Sequence, residues 1–225
     1  MTTVIFWDID GTLLTTAKAG VLALEKAAGE LFGTALDLSD LKMAGGIDRA
    51  IAATILQSAG RSPTPETIEQ LLRLYGEYLP DSLKLRQGFV FQGVREILEA
   101  LRHRTDVLSI LLTGNIEAGA RAKLAYYGLD SYFTVGAFAD YAESRSAIAR
   151  QALKLAEEMI GESTVERRFL LGDTPQDIQC GQAIDARVMA LASGSYSQQQ
   201  LQQHHPWLTL PHLPEPAEFF TLLDL

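Results

Sequence analysis

The chain has 225 residues, 47% of them hydrophobic, 21% charged and 8% aromatic, which excludes a disordered or fibrous protein and suffices for an α/β core with a smaller accessory domain. Its formal net charge of -9 argues against a nucleic-acid partner, because a phosphate backbone is held by clustered Lys and Arg. Cys180 is the only cysteine, no apolar run reaches membrane-spanning length, and Met1-Thr2-Thr3 carries no basic leader, so a cytoplasmic protein with no membrane partner is expected.

The first element is the apolar run Thr3–Ile9, which reads as a buried strand. It ends in Asp8-Ile9-Asp10-Gly11-Thr12-Leu13. Residues two apart on a strand point the same way, so Asp8 and Asp10 present two carboxylates at the carboxyl end, where open α/β sheets bind ligands. Taken alone, Asp-x-Asp-Gly is also an ordinary polar turn. A calcium loop fits less well, since the acidic ligands do not continue at the required spacing.

Between about Thr15 and Leu85 the periodicity is helical and no convincing strand appears. Apolar residues recur at helical spacing over Leu22–Phe32, Ile47–Leu56 and Ile68–Tyr75, with Thr64 and Pro65 as N-cap and first residue of the third helix. The chain therefore divides into a core of 1–14 and 86–225 and a helical insert of 15–85 that would act as a lid.

Beyond the insert, the strands Val107–Thr113, Tyr132–Phe138, Arg168–Gly172 and Arg187–Leu191 alternate with helices over Val94–Leu101, Ala118–Tyr127, Ala147–Glu157 and Pro175–Ala183. Such alternation predicts an α/β fold, a Rossmann-like parallel sheet with helices on both faces. Two of these strands end in polar sequence. Thr113-Gly114-Asn115 precedes a helix and could cradle a phosphate with backbone N–H groups, or simply cap that helix. Asp173-Thr174-Pro175-Gln176-Asp177 reads as a helix cap, but a cap accounts for one aspartate better than for both. One crevice can collect all three sites. Four carboxylates there (Asp8, Asp10, Asp173, Asp177) repel each other without a cation, and oxygen ligands favour magnesium over zinc.

These motifs resemble those of the haloacid dehalogenase-like hydrolase superfamily, on its phosphatase branch with a helical cap inserted after the first motif. The resemblance runs from the strand before Asp8 to about Gly194. It implies Asp8 as nucleophile, Asp10 as general acid/base and Thr113, Gly114 and Asn115 around the phosphoryl group. Asp173 would be a magnesium ligand supported by Asp177, and the substrate a small organophosphate. The family also expects a lysine, usually followed by proline; here Arg145 takes that place, with Lys154 as a rival in a mid-helix, solvent-facing pattern. Gly45-Gly46-Ile47-Asp48 resembles a cap loop of phosphoglycolate phosphatase-like members, where Thr more often precedes the Asp, and it also reads as a plain helix start.

Lys18, Lys42 and Arg49 in the insert could meet a substrate carboxylate or a second phosphate, or be solvated surface charges. His103, His204, His205 and His212 lack partners at ligand spacing, and Cys180 reads as a packed residue. The stretch around Gln198–His205 reads as helix and loop, and Pro214–Leu225 as a last helix packed on the sheet. Three other functions share parts of this pattern. A phosphomutase would use the same aspartates, a non-catalytic phosphate-binding regulator would need neither acid/base nor metal, and a dehalogenase lacks the carboxylate at the Asp10 position.

Overall fold

The computed structural model describes residues 2–41, 43–161 and 165–225. Strand β1 (Thr2–Trp7) carries the first apolar run and stops before the aspartates. The chain then turns, forms β2 (Leu14–Thr15) and enters α1 (Ala19–Phe32), α2 (Asp48–Ser58) and α3 (Pro65–Lys84). It returns through β3 (Phe89–Val90), which runs antiparallel to β2 with Leu14 opposite Val90. Helices and strands then alternate through α4 (Val94–Arg102), β4 (Val107–Leu112), α5 (Glu117–Tyr126), β5 (Gly136–Ala137) and α6 (Arg145–Ile160). The chain ends with β6 (Val165–Gly172), α7 (Pro175–Gln182), β7 (Arg187–Leu191), α8 (Gln198–Gln202), β8 (Leu208–Leu210) and α9 (Pro216–Leu223).

Six strands form one parallel sheet in the order β5-β4-β1-β6-β7-β8, the Rossmann-like core expected from the alternation. β1 sits inside it, which explains its unbroken apolar run from Val4 to Trp7. Ile5 and Trp7 face α4, α5 and α9, where Trp7 stacks on Phe219 with ring centroids 6.0 Å apart. Val4 and Phe6 face α6 and α7, packing with Ile148, Ala152 and Ile178. The period of two along the strand thus feeds two separate cores.

The helices α1–α3 have an apolar core of their own. Ala23, Ala27 and Ala28 give α1 a flat face, and Leu71, Tyr75, Leu79 and Leu83 of α3 close over it. As the sequence implied, the Thr64 side chain caps α3 by accepting from Thr67 N at 3.3 Å, with Pro65 at the first helical position.

Two elements differ from expectation. The strand expected over Tyr132–Phe138 is reduced to Gly136–Ala137, preceded by a 3-10 turn at Asp130–Tyr132. Aromatic and β-branched residues gave that stretch its strand character, but Phe133 is spent on the core, and only Leu111–Gly136 and Leu112–Ala137 pair. Conversely, the polar-looking region after Gln202 hides the edge strand β8, whose Leu208 pairs with Met189.

Candidate active site

Asp8 follows β1, Gly114 and Asn115 follow β4, and Asp173 follows β6, so parallel strands deliver all of them to one end of the sheet. With Asp10 and Arg145 they line a cavity of 390 Å³, which α1, α3 and the 43–48 loop close from the other side through Val21, Leu24, Tyr75 and Met43. Thr113 and Asp177 lie behind this wall. The Thr113 hydroxyl is fully buried and accepts from Asn115 Nδ2 at 2.7 Å and Asn115 N at 3.3 Å, fixing the amide that faces the cavity.

Asp8, Asp173 and Asp177 each bring a carboxylate oxygen within 4.8 Å of the others. Burial, then the charge of Asp177, raises Asp8 to about 7, against the opposing pull of Arg145. Asp173 is raised to about 9 by burial, then by Asp177, Asp8 and Asp10. Asp173 Oδ1 is buried without a hydrogen-bond partner among the described residues. Glycines wall this carboxylate in: a β-carbon on Gly11 would fall 2.3 Å from Asp173 Oδ2, and one on Gly194 1.7 Å from it. Gly11 also has φ 81, which a side chain would strain. An unpaired buried oxygen within an all-oxygen donor set suits a hard divalent cation.

The carboxylate of Asp10 is not part of this group of three. Its Oδ2 accepts from Lys123 Nζ at 2.5 Å and Asn115 Nδ2 at 2.9 Å, while Lys123 also donates to Asn115 Oδ1 at 2.6 Å. The first motif therefore sends its two aspartates to different partners.

Arg145 is the first residue of α6, which Ser144 caps. Its buried guanidinium lies 3.3 Å from Asp8 Oδ1 and also bonds Asp177 Oδ1, which in turn accepts at Oδ2 from Thr174 N at 3.0 Å. These two carboxylates raise the already high pKa of the guanidinium despite the opposing effect of burial, so it stays charged. The rival Lys154 is 77% exposed and faces Glu158 at 3.6 Å, far from any role here.

Lys123 is the site residue that reading the sequence missed. It lies in α5 among Gly119, Ala120 and Leu124 on the buried face. A lysine in the apolar stripe of an otherwise ordinary helix was the available signal. Desolvation opposes its charge, but Asp10, Tyr75 and Asp48 outweigh that and push the ammonium's pKa up.

The loop Gly45-Gly46-Ile47-Asp48 ties the helical insert to the second motif. Asp48 N donates to Gly114 O at 2.8 Å, and Asp48 Oδ2 accepts from Ile116 N at 2.8 Å. A β-carbon on Gly114 would lie 2.3 Å from Gly46 O, so the glycine of the second motif is needed for this approach. Burial raises Asp48 to about 6, opposed by Lys123. Of the insert's expected cations, Lys18 lines the cavity, Arg49 instead donates to Asp140 O at 3.1 Å, and Lys42 lies outside the described residues. Cys180 is buried, and burial pushes its thiol up to about 12, as befits a packed residue. His103 is paired with Glu99 at 3.1 Å, and none of the four histidines lines the cavity.

Residues 4–191 match the family model described as haloacid dehalogenase-like hydrolase. The chain belongs to that family. It is 28% identical over 223 residues to a phosphoglycolate phosphatase of Aquifex aeolicus, spanning 98% of this chain and 96% of the relative. In fold it is similar to CbbY from Rhodobacter sphaeroides in complex with phosphate, at TM-score 0.76 and 19% identity with 100% of both chains covered. A hydrolase from Pseudomonas syringae superposes at TM-score 0.71 with 21% identity, covering 100% of this chain and 98% of that one. Among the described residues, no helix is long and apolar enough to cross a membrane.

Proposed function

We propose that the chain is a magnesium-dependent phosphomonoesterase that acts on a small organophosphate through a phosphorylated Asp8. The observation that carries this reading is the separation of the two first-motif aspartates. Asp8 joins the carboxylate group suited to a cation and touches Arg145, whereas Asp10 is held by Lys123 and Asn115.

In this reading Asp8 attacks phosphorus opposite the leaving oxygen. The Arg145 guanidinium and the Gly114 and Asn115 groups hold the phosphoryl oxygens while charge develops on them. Asp10 gives a proton to the departing alkoxide and later takes one from the water that opens the acyl phosphate. Lys123 and Asn115 fix the direction of Asp10 for both transfers. Asp8, Asp173 and Asp177 would hold magnesium, which supplies further positive charge beside the phosphoryl oxygens.

We infer that residues 15–85 form a cap over this site, with the core in 1–14 and 86–225. A separate apolar core in the helices, the β2–β3 ribbon at the exit and return of the insert, and the insert's residues on the cavity wall support this division. A cytoplasmic location belongs to the same reading. Phosphate release from a panel of phosphomonoesters, beginning with phosphoglycolate, tests the function. Magnesium-dependent release of inorganic phosphate is expected; an isomerised product that keeps its phosphoryl group, or no turnover with any ester, would contradict it.

A further inference from the structure

The cavity has two unlike walls. Asp8, Asp173, Asn115 and Arg145 line it from the core and are charged or polar. Val21 and Leu24 of α1, Met43 ahead of α2, Ile51 of α2 and Tyr75 of α3 line it from the insert, and Phe91, just after β3, adds another aromatic ring. Val21 and Leu24 are three residues apart and so share one face of α1. Val21, Met43 and Ile51 pack against the insert's apolar core but are only partly buried, which leaves hydrocarbon surface bare on the cavity.

The polar side chains beside that wall are largely committed to protein partners. Asp48 Oδ2 accepts from Ile116 N at 2.8 Å, the Thr15 hydroxyl accepts from Ala17 N at 3.3 Å, and Ser193 donates to Gly11 O at 2.6 Å. Lys123 is engaged with Asp10 and Asn115, while Lys18 and Ser195 are exposed. The Tyr75 hydroxyl lies 3.4 Å from where a β-carbon on Gly119 would sit, among the charges of Lys123, Asp48 and Asp10. A leaving group rich in hydroxyls would therefore shed water against this wall and find few free partners, whereas hydrocarbon gains by burial there. Asp10 and Asp48 on the same cavity also repel a second anion.

We propose that the insert's wall is an apolar subsite, and that the leaving alcohol of the substrate carries a short hydrocarbon body that packs on Val21, Leu24, Met43 and Ile51. The inference rests on the phosphomonoesterase reading and names a substrate class for it, one distinct from the esters of hydroxy acids. The core wall fixes the phosphoryl end through a few convergent polar groups, and the insert's wall takes the apolar remainder. That division of labour is the usual one in small-ligand pockets of about 300–1,000 Å³. At 390 Å³ this cavity is near the small end of that range, so the hydrocarbon is short.

The test measures kcat/KM with magnesium for methyl, ethyl, propyl and butyl phosphate. Glycerol 1-phosphate serves as the hydroxylated match of propyl phosphate, and phosphoglycolate as the anionic ester. Wild type should gain about fourfold per methylene from ethyl to butyl phosphate, the worth of a buried CH2 group. Propyl phosphate should exceed both polar esters by about tenfold. Val21→Thr and Met43→Gln each place a polar group in nearly the same volume, and each should cut the butyl-to-methyl ratio about fivefold, chiefly through KM. A flat alkyl series, a preference for glycerol 1-phosphate or phosphoglycolate over propyl phosphate, or an equal loss on all esters in both variants would overturn the subsite. Binding to Asp8→Asn protein with magnesium, followed by calorimetry, reads the subsite without turnover. If no ester is hydrolysed but butyl phosphate still binds more tightly than methyl phosphate and glycerol 1-phosphate, and adding Val21→Thr shrinks that margin, the subsite stands and only the hydrolytic reading falls. Equal binding of the three, or binding of none, overturns the subsite itself.

Discussion

Two clusters of carboxylates lie within the same cavity and are neutralised differently. At Asp8, Asp173 and Asp177 a single guanidinium faces three acids, and Asp173 Oδ1 has no partner among the described residues. At Asp10 and Asp48 a buried ammonium and an amide are already in place. Among the described residues the first cluster sets one guanidinium against three acids, and the second sets one ammonium against two, with Asp48 also bonded to the Ile116 amide. The cation of the proposed function would therefore act at the cluster that contains Asp8, while the Asp10 carboxylate lies outside that cluster. Two aspartates that the chain places two residues apart are given different partners by what α5 and α6 bring to them.

The largest effect is expected from Asp8→Asn, which should reduce phosphate release to background while melting temperature and circular dichroism stay near wild type. Arg145→Ala should cost about 2–4 kcal/mol of transition-state stabilisation, read from kcat/KM, because it removes the one cation paired with the first cluster among the described residues. Arg145→Lys should recover part of that, as a point charge lacking the planar fork. Lys123→Met strikes the second cluster instead. It should lower kcat with little change in magnesium affinity, the opposite of Asp173→Asn. Its stability cost should stay below the about 3–5 kcal/mol of breaking a fully buried pair, since the Asp10 side chain is 41% exposed.

The smallest effect concerns pH. Asp8 and Asp173 are raised from 3.8 to about 7 and about 9, so without metal the folded state binds protons that the unfolded state has released. Metal-free protein should therefore gain stability as pH falls from about 9 toward 4, and lose it as pH rises through those values. Magnesium should raise the melting temperature more at pH 8 than at pH 6, because it displaces those protons. Melts in chelator and in magnesium across that range check both signs. A flat difference between them would mean the first cluster binds no metal.

Much of this arrangement was legible in the sequence because it rests on local pattern. The Asp8-to-Leu13 motif, the Asp173–Asp177 pair and the alternation of buried strands with helices each lie in short contiguous stretches. Arg145 could be chosen over Lys154 because helical periodicity turned Lys154 outward, and the structure has it 77% exposed. The lysine in the apolar stripe of α5 was a signal that something acidic lay nearby, but that its partner is Asp10, 113 residues away, is a tertiary fact that helical spacing does not encode. The edge strand β8 was missed for a related reason: three residues pairing at the rim carry too little periodicity to stand out from the polar stretch before them. The strand expected at Tyr132–Phe138 erred in the other direction, where residues suited to strands were claimed by a turn and the core.

In the proposed reaction Asp8 carries the phosphoryl group during turnover. Acid-quenching the enzyme in mid-turnover with a radiolabelled phosphomonoester, then mapping the labelled peptide, measures this directly. Label is expected on the peptide containing Asp8, lost on treatment with hydroxylamine and absent in Asp8→Asn. Label on any other residue, or single-turnover phosphate release with no protein-bound label at any time point, would contradict it.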